Sequence, residues 1–402
     1  MIQSQTLQVQ QIMLWILFIF LPLTCVFLFA RYILLAVCII LIFFVFFNRR
    51  LCEIVLILKS GEKNTGVINI LFYTLITWFI IIGFIIDPQF DCIVRIIQII
   101  GCFLSFNLGT SQYWNKKTIS LVQKVLTVIA VSVIIHWGME GFPLAAYSFI
   151  YPNPNIFGSQ MLVWLFFILM GETNLTKAIF FIVFGFVMLY VSSARSAILA
   201  FCLYLMVYSF LNHDLKKNGP FQLNTISKWN SIFILFLFSM IAFIFIYVKL
   251  LNTDFGNILQ DVSREYSGKN FYSGRHIIWE NLILLISEKP FTGFGLAAQP
   301  SDYMNLTLSS HNVFLQTALQ SGIVGLLLLL LIVKRIYTNC LYHSDSKFAL
   351  YSIAIIYGMI VHESFEITLT QNLSAQGLQF WFLFGLGCIN QDKNESCEGQ
   401  TQ

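Results

Sequence analysis

Long apolar runs alternate with short polar segments along almost the whole of the 402-residue chain. A helix needs about 20 mostly apolar residues to cross a lipid bilayer. The runs that approach this length are Met13–Ala30, Tyr32–Phe47, Val67–Ile86, Cys92–Leu108, Thr118–Trp137, Asn155–Met170, Ala178–Ala194, Ala197–Leu211, Ser231–Val248, His311–Val333, Phe348–Ile367 and Leu373–Ile389. The pattern predicts an all-α, polytopic membrane protein of about twelve transmembrane helices, in which residues 1–402 form a single membrane domain.

One polar segment is much longer than the others and separates the ninth apolar run from the tenth. It covers residues 249–310 and contains one stretch with helical periodicity, His276–Lys289, which Ser273 is placed to cap. The apolar residues on one stripe of this helix are Ile277, Ile278, Leu282, Leu285 and Ile286. We therefore expect one large loop containing an amphipathic helix that lies on the membrane–water interface. The polar end of the chain, residues 391–402, is expected to be a disordered tail.

Composition supports lipid as the solvent of this protein. The chain is 58% hydrophobic and 10% charged, whereas soluble domains are roughly 45–50% apolar and about 25% charged. The nine cysteines fall mostly inside apolar runs and form no CxxC pair. They are interpreted as small buried hydrophobic residues rather than as metal ligands.

The distribution of basic residues predicts the orientation of the chain. Loops on the cytoplasmic side of membrane proteins carry an excess of Lys and Arg. With the N-terminus inside, the inside loops contain Arg49, Arg50, Lys59, Lys63, Lys116, Lys117, Lys177, Lys216, Lys217, Lys228, Lys334, Arg335 and Lys347. Both termini, including the tail, are therefore expected in the cytoplasm, and residues 249–310 outside. The N-terminus shows no signal-peptide cleavage site, so we expect the first apolar run to remain as a span.

Several kinds of chemistry find no support in the sequence. The glycine spacing of a nucleotide-binding loop occurs at Gly61–Gly66, but Val67 follows in place of lysine. No DxD pair is present that would suggest a metal-dependent nucleotide-sugar transferase. An enzyme of this composition is therefore expected to need no cofactor, no metal and no nucleic acid, and to use an activated, membrane-borne substrate.

Three polar clusters lie near the predicted outer face, where buried or half-buried charge indicates function. The first is the turn Ser192–Ser196 with Arg195, and the second is Tyr272–Arg275 at the start of the amphipathic helix, where a helix N-terminus and Arg275 suit a phosphate. The third is Ser309–Asn312, a helix cap with His311 predicted in the first turn. Solvated or interfacial side chains are the alternative interpretation of each cluster.

Two further positions carry weaker signals. His362 and Glu366 are four residues apart and would share one helix face. The segment Asn153–Asn155 marks the predicted outer entry to the sixth span. A structural polar pair and a simple turn are the respective alternatives.

The spacing of these residues resembles the signature of the O-antigen ligase/polymerase superfamily. The pattern GR-x3-W-x10-P-x2-G-x-G contains Gly274, Arg275, Trp279, Pro290, Gly293 and Gly295. The pattern SHN-x-FLQ-x5-G-x2-G contains Ser310, His311, Asn312, Phe314, Leu315, Gln316, Gly322 and Gly325. Pro154–Asn155 and the Ser193–Ser196 turn also match.

This resemblance implies a GT-C-like fold of twelve helices with a large periplasmic or extracellular loop. It implies a metal-independent glycosyltransferase that uses an undecaprenyl-diphosphate-linked glycan as donor. The resemblance also implies residue roles: Arg195 and Arg275 would hold the diphosphate, and His311 would activate the acceptor hydroxyl. Ser310, Asn312, Trp279, Asn155 and Glu366 are expected to support the site.

The acceptor cannot be deduced from these motifs, so three functions stay open. A polymerase of O-antigen, capsule or exopolysaccharide repeat units is favoured, and a chain-length regulator would then be a further partner. A ligase that transfers the glycan to lipid A-core is the alternative. A transporter is less consistent, because the charged residues gather in one loop and the chain shows no paired, broken helices. The predicted location is the cell inner membrane.

Overall fold

The protein is helical throughout the part of the chain that the computed structural model describes, which is residues 11–26, 36–37, 63–86, 88–110, 116–250, 253–267, 270–272, 274–304, 309–371 and 374–388. The helices are α1 (Gln11–Leu23), α2 (Lys63–Ile85), α3 (Phe90–Gly109), α4 (Lys116–Met139), α5 (Pro154–Leu169), α6 (Leu175–Val191), α7 (Arg195–Asn218), α8 (Leu223–Leu250), α9 (Asp254–Ser267), α10 (Arg275–Glu288), α11 (Val313–Tyr342), α12 (Lys347–Glu363) and α13 (Ser374–Leu386). These ranges contain no β-strand, which confirms the all-α prediction.

Apolar helices fill most of the described chain, as expected for a multi-pass membrane protein. Within the described residues, six helices are long and apolar enough to cross a membrane: Gly66–Ile85, Phe90–Gly109, Lys117–Met139, Arg195–Asn218, Leu223–Leu250 and Val313–Tyr342. α1, α5 and α6 are shorter apolar helices. The run Tyr32–Phe47 lies outside the described residues except at positions 36 and 37, as does the tail 391–402. The count of twelve crossings therefore stays a prediction.

The interior of the bundle is built from helices that are buried on every side. Every side chain of α12 from Phe348 to Glu363 is buried, and α13 is buried from Ala375 onward. A helix that is apolar all round belongs in such an interior position. α13 packs against α3 at Gly109 and Gly385, where an added Cβ on either glycine would lie within 2.3 Å of the other helix's backbone. Small residues allow this close approach of two helices.

Two predicted helix ends are wrong, and both errors concern candidate site residues. The tenth apolar run was predicted to begin at His311, but α11 begins at Val313 because Asn312 caps it. The eleventh was predicted to extend to Ile367, but α12 ends at Glu363. Hydropathy does not mark these ends, since the residues beyond them are partly apolar. His311 and Glu366 consequently lie in the segments that flank the helices.

The large polar segment contains two described α-helices, α9 and α10, and a short 3-10 helix at Pro300–Asp302, where the sequence predicted one helix. The predicted stripe on α10 mainly faces protein instead of lipid, because Ile278 and Leu282 are buried whereas Ile277 is half exposed. The reason is Trp279, which is fully buried. Its contacts with Tyr247 in α8 and with Ser310 before α11 place this side of α10 against the protein. Gly274 occupies the N-cap position of α10, and the predicted cap, Ser273, lies outside the described residues.

A kink in α11 explains one glycine of each sequence pattern, Gly322 and Gly293. Gly322 has φ 68° and ψ −176° inside the helix. A Cβ on Gly322 would lie 2.1 Å from the Phe291 carbonyl oxygen, and one on Gly293 would lie 2.5 Å from the Leu319 carbonyl oxygen. Only glycine fits such a contact at positive φ. The kink therefore fixes the loop after α10 against α11.

Candidate active site

The start of α11 is fixed by Asn312. Its side-chain oxygen accepts a hydrogen bond from the Leu315 amide at 2.9 Å, as N-cap residues do. Its Nδ2 donates to the Ser364 carbonyl at 3.0 Å. Asn312 is fully buried, so this side chain ties the start of α11 to the turn that follows α12.

His311 lies immediately before this cap instead of in the first helical turn, which corrects the sequence prediction. Its φ is 45°, a left-handed conformation that is uncommon outside glycine. The residues on either side, Ser310 and Asn312, are fully buried, whereas the His311 side chain is 32% exposed. The imidazole is therefore the accessible group of this segment.

Trp279 and Ser310 support the same segment from α10. The indole Nε1 of Trp279 donates to the Ser310 carbonyl at 2.9 Å. The indole packs against the ring of Tyr247 in α8, with 4.9 Å between centroids, and against Phe365 at 6.0 Å. The Ser310 hydroxyl donates to the Asn312 carbonyl at 3.3 Å. Both residues act on His311 through the backbone.

Glu366 lies between His311 and Arg275. One carboxylate oxygen is 3.5 Å from His311 Nδ1, and the other is 3.6 Å from Arg275 Nη2. When Nδ1 carries the proton it donates to the carboxylate, and Nε2 is then the nitrogen with a free lone pair. One carboxylate thus places a base and a guanidinium side by side.

Arg275 is the first residue of α10, as the sequence predicted. Its Nη2 donates to the Phe365 carbonyl at 3.2 Å, and its guanidinium carbon lies 5.6 Å from the centre of the Phe365 ring. Its hydrogen bonds and ion pairs with other described residues go through Nη2. A guanidinium carries five N–H donors in a planar fork, and this geometry matches the oxygens of a phosphate.

The turn after α12 is held by Glu363, which lies between His362 and Glu366 in the sequence and to which the sequence assigned no role. Glu363 accepts hydrogen bonds from the Thr368 hydroxyl and from the amides of Thr368 and Leu369, both at 2.9 Å. Glu363 is 1% exposed. Its carboxylate closes residues 364–369 into a compact turn, which presents Glu366. A carboxylate followed by threonine five residues later is no recognised motif, so the sequence offered little signal.

Arg195 lies at the same end of the bundle, at the start of α7. The preceding turn includes Ser193 with φ 58°. Arg195 Nη2 donates to the Asn270 carbonyl at 3.4 Å. Arg195 and Arg275 both lie within electrostatic range of the Tyr247 hydroxyl, so the two predicted arginines belong to the same region of the protein.

The hydrogen bonds of two further predicted positions, Asn155 and His362, go to other described residues. The Asn155 amide donates to the Asn153 side chain at 2.7 Å, and the Asn155 side chain is exposed at the start of α5. His362 is fully buried, with its Nε2 3.0 Å from the Ser159 hydroxyl in α5. His362 and Glu366 do not share a helix face, because α12 ends between them.

The surroundings of Glu366 favour its charged form. Burial alone would raise the pKa of Glu366, but the hydrogen bond with His311, the imidazole of His362 and the charge of Arg275 lower it below the usual value. Burial also lowers the pKa of His276 on α10. At neutral pH the site therefore combines an ionised carboxylate with a guanidinium and an accessible imidazole.

This arrangement suits the transfer of a group from an anionic leaving group to a hydroxyl. The guanidinium would stabilise the departing anion, and the imidazole would accept the hydroxyl proton. Among the described residues, no group of three His, Cys, Asp or Glu side chains is placed to share a metal ion.

Comparison with protein-family models gives a match over part of the chain. Residues 180–330 match the family model described as O-antigen ligase, which confirms the resemblance seen in the sequence patterns. The matched range contains Arg195, Arg275, Trp279 and the Ser310–Asn312 segment. A search of curated proteins gave no match. The match indicates a membrane-bound glycan transferase of the ligase and polymerase type.

Proposed function

From the O-antigen ligase match in residues 180–330, we propose that this membrane protein polymerises undecaprenyl-diphosphate-linked repeat units into O-antigen, capsule or exopolysaccharide. The observation that carries the proposal is the Glu366 carboxylate, which contacts His311 on one side and Arg275 on the other. A glycan transferase with a lipid-diphosphate donor needs a base and an anion-binding cation next to each other.

In the proposed reaction His311 is the general base. Its Nε2 accepts the proton of an acceptor sugar hydroxyl, while the hydroxyl oxygen forms a bond to the anomeric carbon of the donor glycan. The bond between that carbon and the diphosphate oxygen breaks, and the electron pair leaves with undecaprenyl diphosphate. Glu366 orients the imidazole through Nδ1 and balances its positive charge after proton transfer.

The two arginines have the second role. Arg275 and Arg195, which both lie within electrostatic range of the Tyr247 hydroxyl, bind the diphosphate through their guanidinium groups. Fixed guanidinium groups stabilise the developing charge without reorganisation during the reaction. The binding mode requires no metal, and the energy of the transfer comes from the donor diphosphate.

Ser310, Asn312 and Trp279 are positioning residues in this proposal, because their contacts fix the backbone on either side of His311. Asn155 is exposed at the same end of α5 and is proposed to contact the glycan. With the long loop outside the cell inner membrane, the site would face the compartment that holds the lipid-linked glycan.

A direct assay distinguishes the polymerase from the alternative functions. The purified protein is given a synthetic undecaprenyl-diphosphate-linked repeat unit, with and without lipid A-core. A ladder of longer lipid-linked glycans without lipid A-core supports the polymerase, whereas product on lipid A-core alone identifies a ligase. No consumption of donor with either acceptor would contradict both and favour transport.

The role of Arg275 is tested by a substitution that keeps its charge. Arg275→Lys replaces a planar, two-pronged donor by a single ammonium, so we expect roughly a tenfold or greater loss of transfer rate. Lys217→Arg, an exposed change at the opposite end of α7, is the control and should have no effect. A fully active Arg275→Lys enzyme would exclude the two-pronged contact with phosphate.

A further inference from the structure

Helix α9 has an exposed apolar stripe that no described part of the protein covers. Phe255, Ile258 and Val262 are 61%, 57% and 45% exposed. Their spacing of three and four residues places them on one side of the helix. Exposure of three neighbouring apolar side chains to water is unfavourable. We therefore expect this stripe to contact an apolar environment.

The other sides of α9 have different surroundings. The side that contains Gly256 and Gln260 faces the protein. The charged residues Asp254, Asp261, Arg264 and Glu265 are exposed on a third side. The apolar stripe thus lies between the protein-facing side and the charged side, which is the arrangement of a helix that rests on a surface.

The depth of α9 is set by the helix before it. α8 is a 28-residue candidate membrane span, and most of its surface is exposed. It ends at Leu250, and α9 begins at Asp254. A Cβ on Gly256 would lie 1.9 Å from the Leu250 carbonyl oxygen, so the first turn of α9 packs on the last residue of α8. α9 therefore lies where α8 leaves the bilayer.

We propose that α9 lies on the lipid bilayer with Phe255, Ile258 and Val262 inserted among the lipids at the site end of the bundle. The stripe continues an apolar surface that already faces lipid, since Phe245 and Ile246 near the end of α8 are also exposed. The charged side carries three acidic residues and one arginine. The contact is consequently apolar and does not depend on anionic headgroups.

This contact acts on the candidate active site through two side chains of α9. Gln260 Nε2 and Arg264 Nε donate to the Asn270 side chain at 3.2 and 2.8 Å. Gln260 Oε1 accepts from the Phe271 amide at 2.8 Å. The Asn270 carbonyl in turn accepts from Arg195. Lipid-bound α9 thereby holds the backbone that contacts Arg195.

The proposal is tested on the full-length protein in nanodiscs of phosphatidylethanolamine and phosphatidylglycerol. An environment-sensitive fluorescent amino acid replaces Ile258 or, as the matched control, Asp261 on the charged side. We expect blue-shifted emission at position 258 and roughly threefold stronger quenching by lipids with a nitroxide near the headgroup. Replacing phosphatidylglycerol by phosphatidylcholine should leave the quenching unchanged. This measurement does not depend on the proposed enzymatic activity.

Equal quenching at positions 258 and 261 would overturn the proposal. A blue shift at 258 without nitroxide quenching would also overturn it, because a protein partner or a second copy would then cover the stripe. The consequence for the site is tested by Ile258→Asp, which should lower transfer about tenfold, whereas Asp261→Asn should not. Normal transfer by a stably folded Ile258→Asp protein would show that lipid contact does not position Arg195.

Discussion

The relative position of His311 and Arg275 in the candidate site depends on the Glu366 carboxylate between them. The carboxylate contacts His311 Nδ1 and Arg275 Nη2 through different oxygens. His311 alone is an exposed imidazole on a left-handed backbone, and a free ring could present either nitrogen. The contact with Glu366 selects the tautomer in which Nε2 accepts a proton.

Glu366→Gln is therefore predicted to impair transfer without unfolding the protein. The amide can still accept from Nδ1, but it no longer stabilises a protonated imidazole or an adjacent guanidinium. We expect a loss of roughly 10- to 100-fold in turnover, measured with saturating lipid-diphosphate donor. Glu288→Gln, an exposed change at the end of α10, should leave turnover unchanged. Equal turnover of the two variants would remove Glu366 from the mechanism.

The pH dependence of stability provides a second test of Glu366. Because its pKa is lowered in the folded protein, its ion pairs stabilise the fold above the usual glutamate pKa. This stabilisation is lost as the pH falls through the lowered value. Thermal unfolding from pH 7 to pH 3 should therefore show a smaller decrease in Tm for Glu366→Gln than for the wild type. Parallel curves of Tm against pH would indicate that the pKa of the Glu366 carboxylate is the same in the folded and unfolded protein.

At the scale of elements, the kink of α11 joins the two halves of the sequence pattern. Phe294 donates its amide to the Leu319 carbonyl at 2.8 Å, and Ile323 donates to the Pro290 carbonyl at 2.7 Å. The loop after α10 is thereby bound to α11 about two to three turns from His311. These hydrogen bonds connect α10, which begins at Arg275, to α11, which follows His311.

Gly322→Ala is predicted to break this junction. The methyl group would meet the Phe291 carbonyl oxygen at 2.1 Å, at a φ that alanine avoids. Overpacking of this kind costs about 1–3 kcal/mol, so the purified variant should unfold at lower temperature or fail to accumulate. Gly66→Ala in α2, where a Cβ meets nothing within 4 Å, is the control. Equal melting temperatures would contradict the rigid junction.

The sequence predicted the existence of the helices better than it predicted where they end and which residues they contact. Hydropathy located the helices, because burial in lipid needs long apolar runs. The motif spacing singled out Arg275, His311 and Trp279, because each has a fixed place within α10 or immediately before the cap of α11. It could not show that Glu363 folds the turn bearing Glu366. That contact depends on backbone amides, which carry no sequence signal.

The stripe on α10 shows a related limit. Periodicity alone cannot tell a face that meets lipid from one that meets protein, since both are apolar. Trp279 determines that this face of α10 contacts protein. Its partners are Ser310 and Tyr247, which are remote in sequence. The helix α9 has the exposed stripe instead, in a segment whose many polar residues masked its periodicity.

At the scale of the whole molecule, the candidate site lies at one end of a bundle whose interior helices are α5, α12 and α13. The ends of α8 and α12 and the starts of α7, α10 and α11 meet there, so the candidate site residues of these elements lie at one end of the bundle. The excess of basic residues in the other set of loops predicts that this end is the outer one.

Reporter fusions test this orientation. Fusions after Lys216, at the end of α7, and after Lys269, in the long polar segment, should give signals from opposite sides of the membrane. A reporter active only in the cytoplasm should respond at position 216, and one active only outside should respond at 269. Signals from the same side at both positions would refute the topology and the access of the site to an exported donor.

The central claim is that His311 removes the proton of the acceptor hydroxyl. The most direct measurement is the single-turnover transfer rate of His311→Ala with saturating undecaprenyl-diphosphate-linked donor, together with its donor affinity. Loss of a general base predicts a decrease of about 10²–10⁴-fold in rate, with donor affinity unchanged because the arginines remain. A rate within about tenfold of wild type would contradict the claim and make His311 a structural residue, with His276 or Glu366 the next candidate for the base.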